Sequence, residues 1–122
     1  MQQSKKTLVV GATPNETRYA YKATAMLGDY GHERILYGIK KGSIQNIPIL
    51  NEWPAEEKVD TVTLYINPTI QKDFYDKILA LKPKRIIFNP GTENTELTEL
   101  AAKKGIEVLN ACTLVMLKTN NY

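Results

Sequence analysis

The chain has 122 residues, 43% of them hydrophobic and 24% charged, the size and make-up of one globular domain on one core and too short for two. Its 16 Lys+Arg against 13 Asp+Glu leave a formal charge of +3, too small and too evenly spread for nucleic-acid binding to be the main task. One cysteine, Cys112, excludes an internal disulfide, and with one histidine, His32, it cannot supply a structural zinc set.

Met1 to Lys6 is too short and polar for a signal peptide, and no apolar run nears the roughly 20 residues of a bilayer span. A soluble cytoplasmic protein with no membrane partner is expected. Apolar runs alternate with amphipathic stretches, without repeats, low-complexity segments or linkers, so residues 1–122 read as a single α/β domain. Thr7-Leu8-Val9-Val10-Gly11 is β-branched and apolar on both faces, as a central strand of a parallel sheet is. Tyr19, Ala23, Met26, Leu27 and Tyr30 recur at helical spacing and form the stripe of an amphipathic helix ending near Gly31. Residues 33–39 predict a second strand, and after a Gly/Asn/Pro-rich connection Ile47 to Leu50 predicts a short edge piece. Val59 to Ile66 is the next main strand. Pro68 to Leu81 carries Ile70, Phe74, Ile78 and Leu81 on one helical face and stops at Lys82-Pro83. Arg85 to Phe88 is a strand, and Glu96 to Lys104 is a helix with Leu97, Leu100 and Ala101 inward and Gly105 just past its end. Ile106 to Leu109 is the last strand, and Leu114 to Leu117 closes the core. Strands alternating with helices of this length call for right-handed parallel crossovers. The expected architecture is a Rossmann-like three-layer sandwich with a mainly parallel sheet of about five strands.

Parallel strands put their carboxyl ends on one edge, where open α/β folds bind ligands. Gly11-Ala12-Thr13-Pro14-Asn15-Glu16 reads as a helix start in which Thr13 caps, Pro14 suits the first helical position and Glu16 completes a capping box. Asn67-Pro68 and Asn89-Pro90-Gly91-Thr92-Glu93-Asn94 read as two more starts of the same kind. Three amide-rich ends in one crevice suit a phosphate or another anion. Such caps occur at most helix starts whether or not a ligand binds, and a lysine pair is ordinarily a solvated turn. The accompanying charge adds weight: Arg18 falls in the first turns of the first helix, and Lys40-Lys41 stand past the end of the second strand. The first turn offers only Gly11 where a dinucleotide fingerprint needs three glycines. An NAD site also wants an acid where Lys40 and Lys41 stand, so NAD is disfavoured. Ammonium groups there suit a ribose with an extra phosphate, the 3′-phosphate of coenzyme A or the 2′-phosphate of NADP.

The segments Gly11-Ala12-Thr13-Pro14-Asn15-Glu16-Thr17-Arg18-Tyr19-Ala20, Tyr65-Ile66-Asn67-Pro68, Asn89-Pro90-Gly91-Thr92-Glu93-Asn94 and Ala111-Cys112-Thr113 resemble those of a known family. It is the family of small single-domain CoA-binding proteins, similar to the N-terminal CoA-binding domain of the succinyl-CoA synthetase alpha subunit. The resemblance spans nearly the whole chain. It implies that Gly11, Ala12 and Thr13 with Arg18 take the phosphate and nucleotide part, with Pro14 and Tyr19 in the same set. It also implies that Lys40 and Lys41 meet the adenosine end, and that Tyr65, Ile66 and Asn67 with Asn89, Pro90 and Gly91 line the pantetheine path. The synthetase carries its phosphorylated histidine in a second domain, and this chain ends before one, so ligase chemistry is not carried over.

Cys112 joins the candidate site because a thiolate there could exchange with oxidised CoA; the plainer reading is a small buried residue that packs like alanine. His32, in a turn after Gly31, has no neighbouring carboxylate arrangement and is expected at the surface. Trp53-Pro54 lies in a connection where an indole packs or lids a pocket. Glu93 and Glu96 stand where acids commonly act only as dipole partners. With no catalytic set and no metal set in view, the chain reads as a binding or sensing module for coenzyme A or an acyl-CoA, without catalysis of its own. An NADP-dependent or other nucleotide-using enzyme is the alternative, although Tyr19, Tyr21, Tyr37 and Tyr65 are accounted for as packing residues. A protein-interaction domain would instead show an exposed apolar patch. A homodimer is admitted by the sequence.

Overall fold

A computed structural model of the chain describes residues 4–122; the first three residues of the Met1–Lys6 segment lie outside them. The elements in chain order are β1 (Thr7–Val10), α1 (Tyr19–Asp29), β2 (Arg34–Tyr37), β3 (Ser43–Ile44), β4 (Ile47–Leu50), β5 (Thr61–Leu64) and α2 (Pro68–Gln71). A 3₁₀ turn at Lys72–Phe74 follows, then α3 (Tyr75–Ala80), β6 (Arg85–Phe88), α4 (Thr95–Lys103), β7 (Glu107–Asn110) and α5 (Thr113–Lys118). None of the described helices is long and apolar enough to cross a membrane.

All four residues of β1, β5 and β6 are buried, which is why, Arg85 at the start of β6 apart, these segments read as continuous apolar or β-branched runs rather than alternating ones. Side chains alternate across the pleat. Leu8 and Val10 join Val62, Leu64, Ile86 and Phe88 under α3 and α4, which contribute Ile78, Leu79, Leu97 and Ala101. Val9 turns to the other face, where Leu36 and Ile87 pack with Ala20 and Leu27 of α1 and Met116 and Leu117 of α5. Helices thus cover both faces of the sheet, in the α/β arrangement expected.

The sheet has seven strands in the order β3-β4-β2-β1-β5-β6-β7, not about five. The five main strands and the Ile47–Leu50 piece are present, and β3 is the addition. It is two residues long and pairs antiparallel with β4 across a turn in which Gln45 and Asn46 take φ of 50° and 69°. So short a strand leaves no periodicity to read, and the left-handed pair makes a hairpin turn without the usual Asn-Gly signature. The other pairings are parallel.

Three expected helix starts are corrected in part. α1 opens at Tyr19 with Arg18 as its N-cap and no side-chain cap bond, so the box from Thr13 to Glu16 does not form there. Asn15 takes over that stretch: its Oδ1 accepts from the Thr17 N–H and Oγ1, and Thr13 Oγ1 accepts from the Asn15 N–H. A short polar side chain has diverted the backbone into its own turn. Asn67 does cap α2, its Oδ1 accepting from the Ile70 N–H at 2.9 Å. Asn89-Pro90 starts no helix; α4 is capped by Asn94, which accepts from the Leu97 N–H. The expected helix from Pro68 to Leu81 is broken by the 3₁₀ turn, which leaves Ile70 exposed and buries Gln71 instead.

His32 is not at the surface. It is 4% exposed, with its ring 4.8 Å from that of Tyr122. The two residues close the amino edge, a long-range contact invisible to a reading of local neighbours.

Candidate functional site

The carboxyl ends of β1, β2, β5, β6 and β7 come together at one edge, and the candidate residues are distributed over their loops. Gly11 leaves β1 at φ +98°, and a Cβ built on it would stand 3.1 Å from the backbone of Tyr65. Only glycine accepts both the left-handed backbone and that approach. The Gly11 and Ala12 amides are not available to an anion, because both donate to the Tyr37 carbonyl, at 2.8 and 2.9 Å. Asn15, Thr17 and Arg18 also use their amides internally. The donors left in this loop are the N–H groups of Thr13 and Glu16, fewer than the expected helix start would present.

The second loop is pressed against the first. A Cβ on Gly38 would lie 2.2 Å from the Ala12 carbonyl oxygen, and one on Gly42 would lie 3.2 Å from the Pro14 ring. Lys40 and Lys41 sit between those two contacts, so the chain after β2 carries them beside the β1 loop. Both are exposed, and neither has an acidic partner among the described residues. Arg18 and Tyr19 are exposed at the head of α1, Tyr19 at 68% with the Lys22 ammonium 5.4 Å from its ring centroid. Tyr19 is therefore not a packing residue. Asn51, which the sequence did not single out, fixes the lysine turn by donating from Nδ2 to the carbonyls of Gly38 and Lys40, at 2.7 and 3.0 Å. An asparagine directly after a strand was its only sequence signal.

On the far side of β1, the Tyr65 N–H donates to the Val10 carbonyl. Burial drives the Tyr65 phenol well above its ordinary pKa of 10, against the opposing pull of the neighbouring Thr113 and Thr63 hydroxyls. It stays protonated as a neutral donor. Ile66 lies against Gly11, and Asn67 is spent on its cap. Asn89 is 2% exposed, and its side chain is fully engaged: Nδ2 donates to Thr63 Oγ1 and the Leu64 carbonyl, and Oδ1 accepts from the Thr113 N–H. It ties β5, β6 and the start of α5 together and shapes the edge without a spare atom. Pro90 and Gly91 are exposed, and the Gly91 N–H donates to Glu93 Oε1. Gln71, also unforeseen, is fully buried and joins the two loops by donating to the carbonyls of Ile66 and Thr92 and accepting from Asn94 Nδ2. Cys112 is half-buried at the head of α5, more accessible than a core alanine. Trp53 packs edge-on against Tyr37 and tilted against Phe74, at 5.0 and 5.6 Å between centroids.

Two cavities, of about 630 and 370 Å³, lie at the opposite, amino edge, lined in part by Lys82, Pro83 and Ile106 and by Lys5, Asp60 and Arg85 respectively. Volume alone would put a ligand there. The carboxyl edge is an open shelf of loops, and what marks it is the convergence of glycine contacts with unpaired cations.

Helices on both faces of a mainly parallel sheet, with the strand-end loops gathered along one edge, define an α/β domain of the Rossmann-like class. Within that class the assignment is specific: a CoA-binding-domain family model matches residues 5–118, and the chain belongs to that family. No curated protein matches it. Among solved structures, one of a protein described as uncharacterised is 55% identical, covering 99% of this chain and 100% of its own with a TM-score of 0.97. A Thermus thermophilus protein is 20% identical at a TM-score of 0.85, over 98% of this chain and 91% of its own. A hypothetical protein of Pyrococcus horikoshii OT3 is 20% identical at 0.86, over 96% and 84%. These last two are similar in fold.

Proposed function

We propose that the carboxyl edge binds coenzyme A or an acyl-CoA, and that this single-domain cytoplasmic protein is a binding or sensing module without catalysis of its own. The observation that carries the reading is the seating of Gly38 on Ala12 and Gly42 on Pro14, which brings Lys40 and Lys41 to the β1 loop with no acid among the described residues paired with them. Two ammonium groups beside one shelf suit the 3′-phosphate of the adenosine, a dianion that NAD lacks. The diphosphate lies over the Thr13 and Glu16 amides and Arg18. The pantetheine arm runs past Tyr65 and Gly91 toward Cys112, with the Tyr65 phenol as a neutral donor on its path. Membership of a CoA-binding family supports the ligand class.

Titration calorimetry with CoA, dephospho-CoA and NADP tests the reading. CoA should bind at least about tenfold tighter than dephospho-CoA, a difference of about 1.4 kcal/mol. Equal affinity would remove the role of the two lysines, and tighter binding of NADP would favour the nucleotide-using enzyme.

A further inference from the structure

Away from the ligand edge, one buried titratable side chain holds a segment of the chain in place. We propose that His32 and Tyr122 form an acid-released latch that fastens the Thr119–Tyr122 segment over the amino edge of the sheet. Residues 119–121 are exposed, yet Tyr122 is 4% exposed. Its hydroxyl bonds to Thr7 Oγ1, and its main-chain oxygen accepts from Lys5 Nζ at 2.6 Å. The Tyr122 ring is the buried part of the attachment, beside the Lys5 bond and the segment's own backbone bonds back to α5. The His32 ring lies 4.8 Å from it, and the Arg85 guanidinium 4.3 Å from its centroid.

His32 Nδ1 accepts from the Lys5 backbone N–H at 3.0 Å, so in the latched state it carries no proton and the imidazole is neutral, with its hydrogen on Nε2. That Nε2 is buried and has no partner among the described residues. A second proton must go onto Nδ1, where it would face the Lys5 N–H donor to donor. It would also place a further positive charge around a tyrosine ring that Lys5 and Arg85 already approach, at 5.9 and 4.3 Å. The charged groups facing His32 are Lys5 before β1 and Arg85 on β6, which oppose protonation, and Asp60 before β5, which favours it; Glu33 is paired with Lys6 at 3.6 Å. Burial is the largest influence and also opposes the charge, holding the histidine below its ordinary 6.5. The latched state therefore binds a proton more weakly than the open one. Opening takes up a proton and is promoted as pH falls below 6.5. Release of Tyr122 uncovers Arg85, which lines the neighbouring cavity of about 370 Å³.

The test follows the His32 ring by NMR together with hydrogen exchange of the Asn121 amide, which donates to the Met116 carbonyl at 2.8 Å, as pH is lowered. Expected is a severalfold loss of Asn121 protection in step with the titration of His32. In His32→Asn the side-chain carbonyl keeps accepting from Lys5 without titrating, and protection should stay flat. An equal loss in both proteins, or full protection after His32 has titrated, overturns the latch. Should His32→Asn not fold, Tyr122→Leu gives the second reading: the His32 midpoint should rise toward 6.5, and an unmoved midpoint overturns the proposal.

Discussion

The two edges of the sheet hold their charges differently, although the amino edge also leaves Lys82 and Lys104 exposed beside its larger cavity with no acidic partner among the described residues. At the amino edge Lys6 pairs with Glu57 at 2.9 Å and with Glu33 at 3.6 Å, Lys84 approaches Asp60 at 4.0 Å, and Arg85 is buried against Tyr122 with Nε donating to Thr61 Oγ1. At the carboxyl edge Arg18, Lys40 and Lys41 are exposed with no acidic partner among the described residues. The first edge is built for closure, since the chain enters β1 there and α5 returns to it. The second is a row of strand ends joined by glycine contacts, Asn51 and Gln71, a rigid shelf whose cations are left for something else. Stability should reside at one edge and recognition at the other.

The largest departure from that division would come from Tyr122→Ala. Loss of a buried aromatic ring costs about 3 kcal/mol, so denaturant unfolding should show a clear fall in stability, while the folded protein keeps its affinity for CoA. A matching loss of affinity would mean that the edges are coupled. Gly38→Ala acts at the junction itself, because the added methyl would lie 2.2 Å from a backbone oxygen. About 2 kcal/mol of stability should go as the two loops part, and CoA affinity should fall with it; a variant that binds normally would show that the loop contact does not set the lysines. The smallest stability effect is expected for the pair Lys40→Glu and Lys41→Glu. These solvated side chains should leave unfolding within about 0.5 kcal/mol of the parent. Calorimetry should nevertheless lose about tenfold in CoA affinity with dephospho-CoA unchanged, and an equal loss for both ligands would place the lysines away from the 3′-phosphate.

The fold was legible where burial leaves a periodic mark. β1, β5 and β6 are buried along their whole length, and their mainly apolar runs announced them; α4 showed its inward stripe, whereas α1 buries Ala20, Ala23, Thr24 and Leu27 and leaves Tyr19 and Tyr30 of its expected stripe exposed. The two-residue β3 left no such mark. In the site, the choice of loops followed from parallel topology alone, as did the meeting of Lys40 and Lys41 with the first turn. The details did not follow. The amides of Gly11 and Ala12 are consumed by Tyr37, the side chain of Asn89 by Thr63, Leu64 and Thr113, and Asn51 and Gln71 hold loops that the sequence left unattached. Apart from Ile66, five residues before Gln71, each of these partners lies more than 10 residues away along the chain.

By itself, then, the sequence determined the alternation of strands and helices, the parallel crossovers, and the edge at which loops and cations gather, because each is written in spacing a few residues long. Only the tertiary structure decided which amides remain unspent, why Gly38 and Gly42 must be glycine, and that His32 lies buried beneath Tyr122. Those outcomes depend on backbone and side chains brought within a few ångströms from distant positions, and packing of that kind leaves no local periodicity to read.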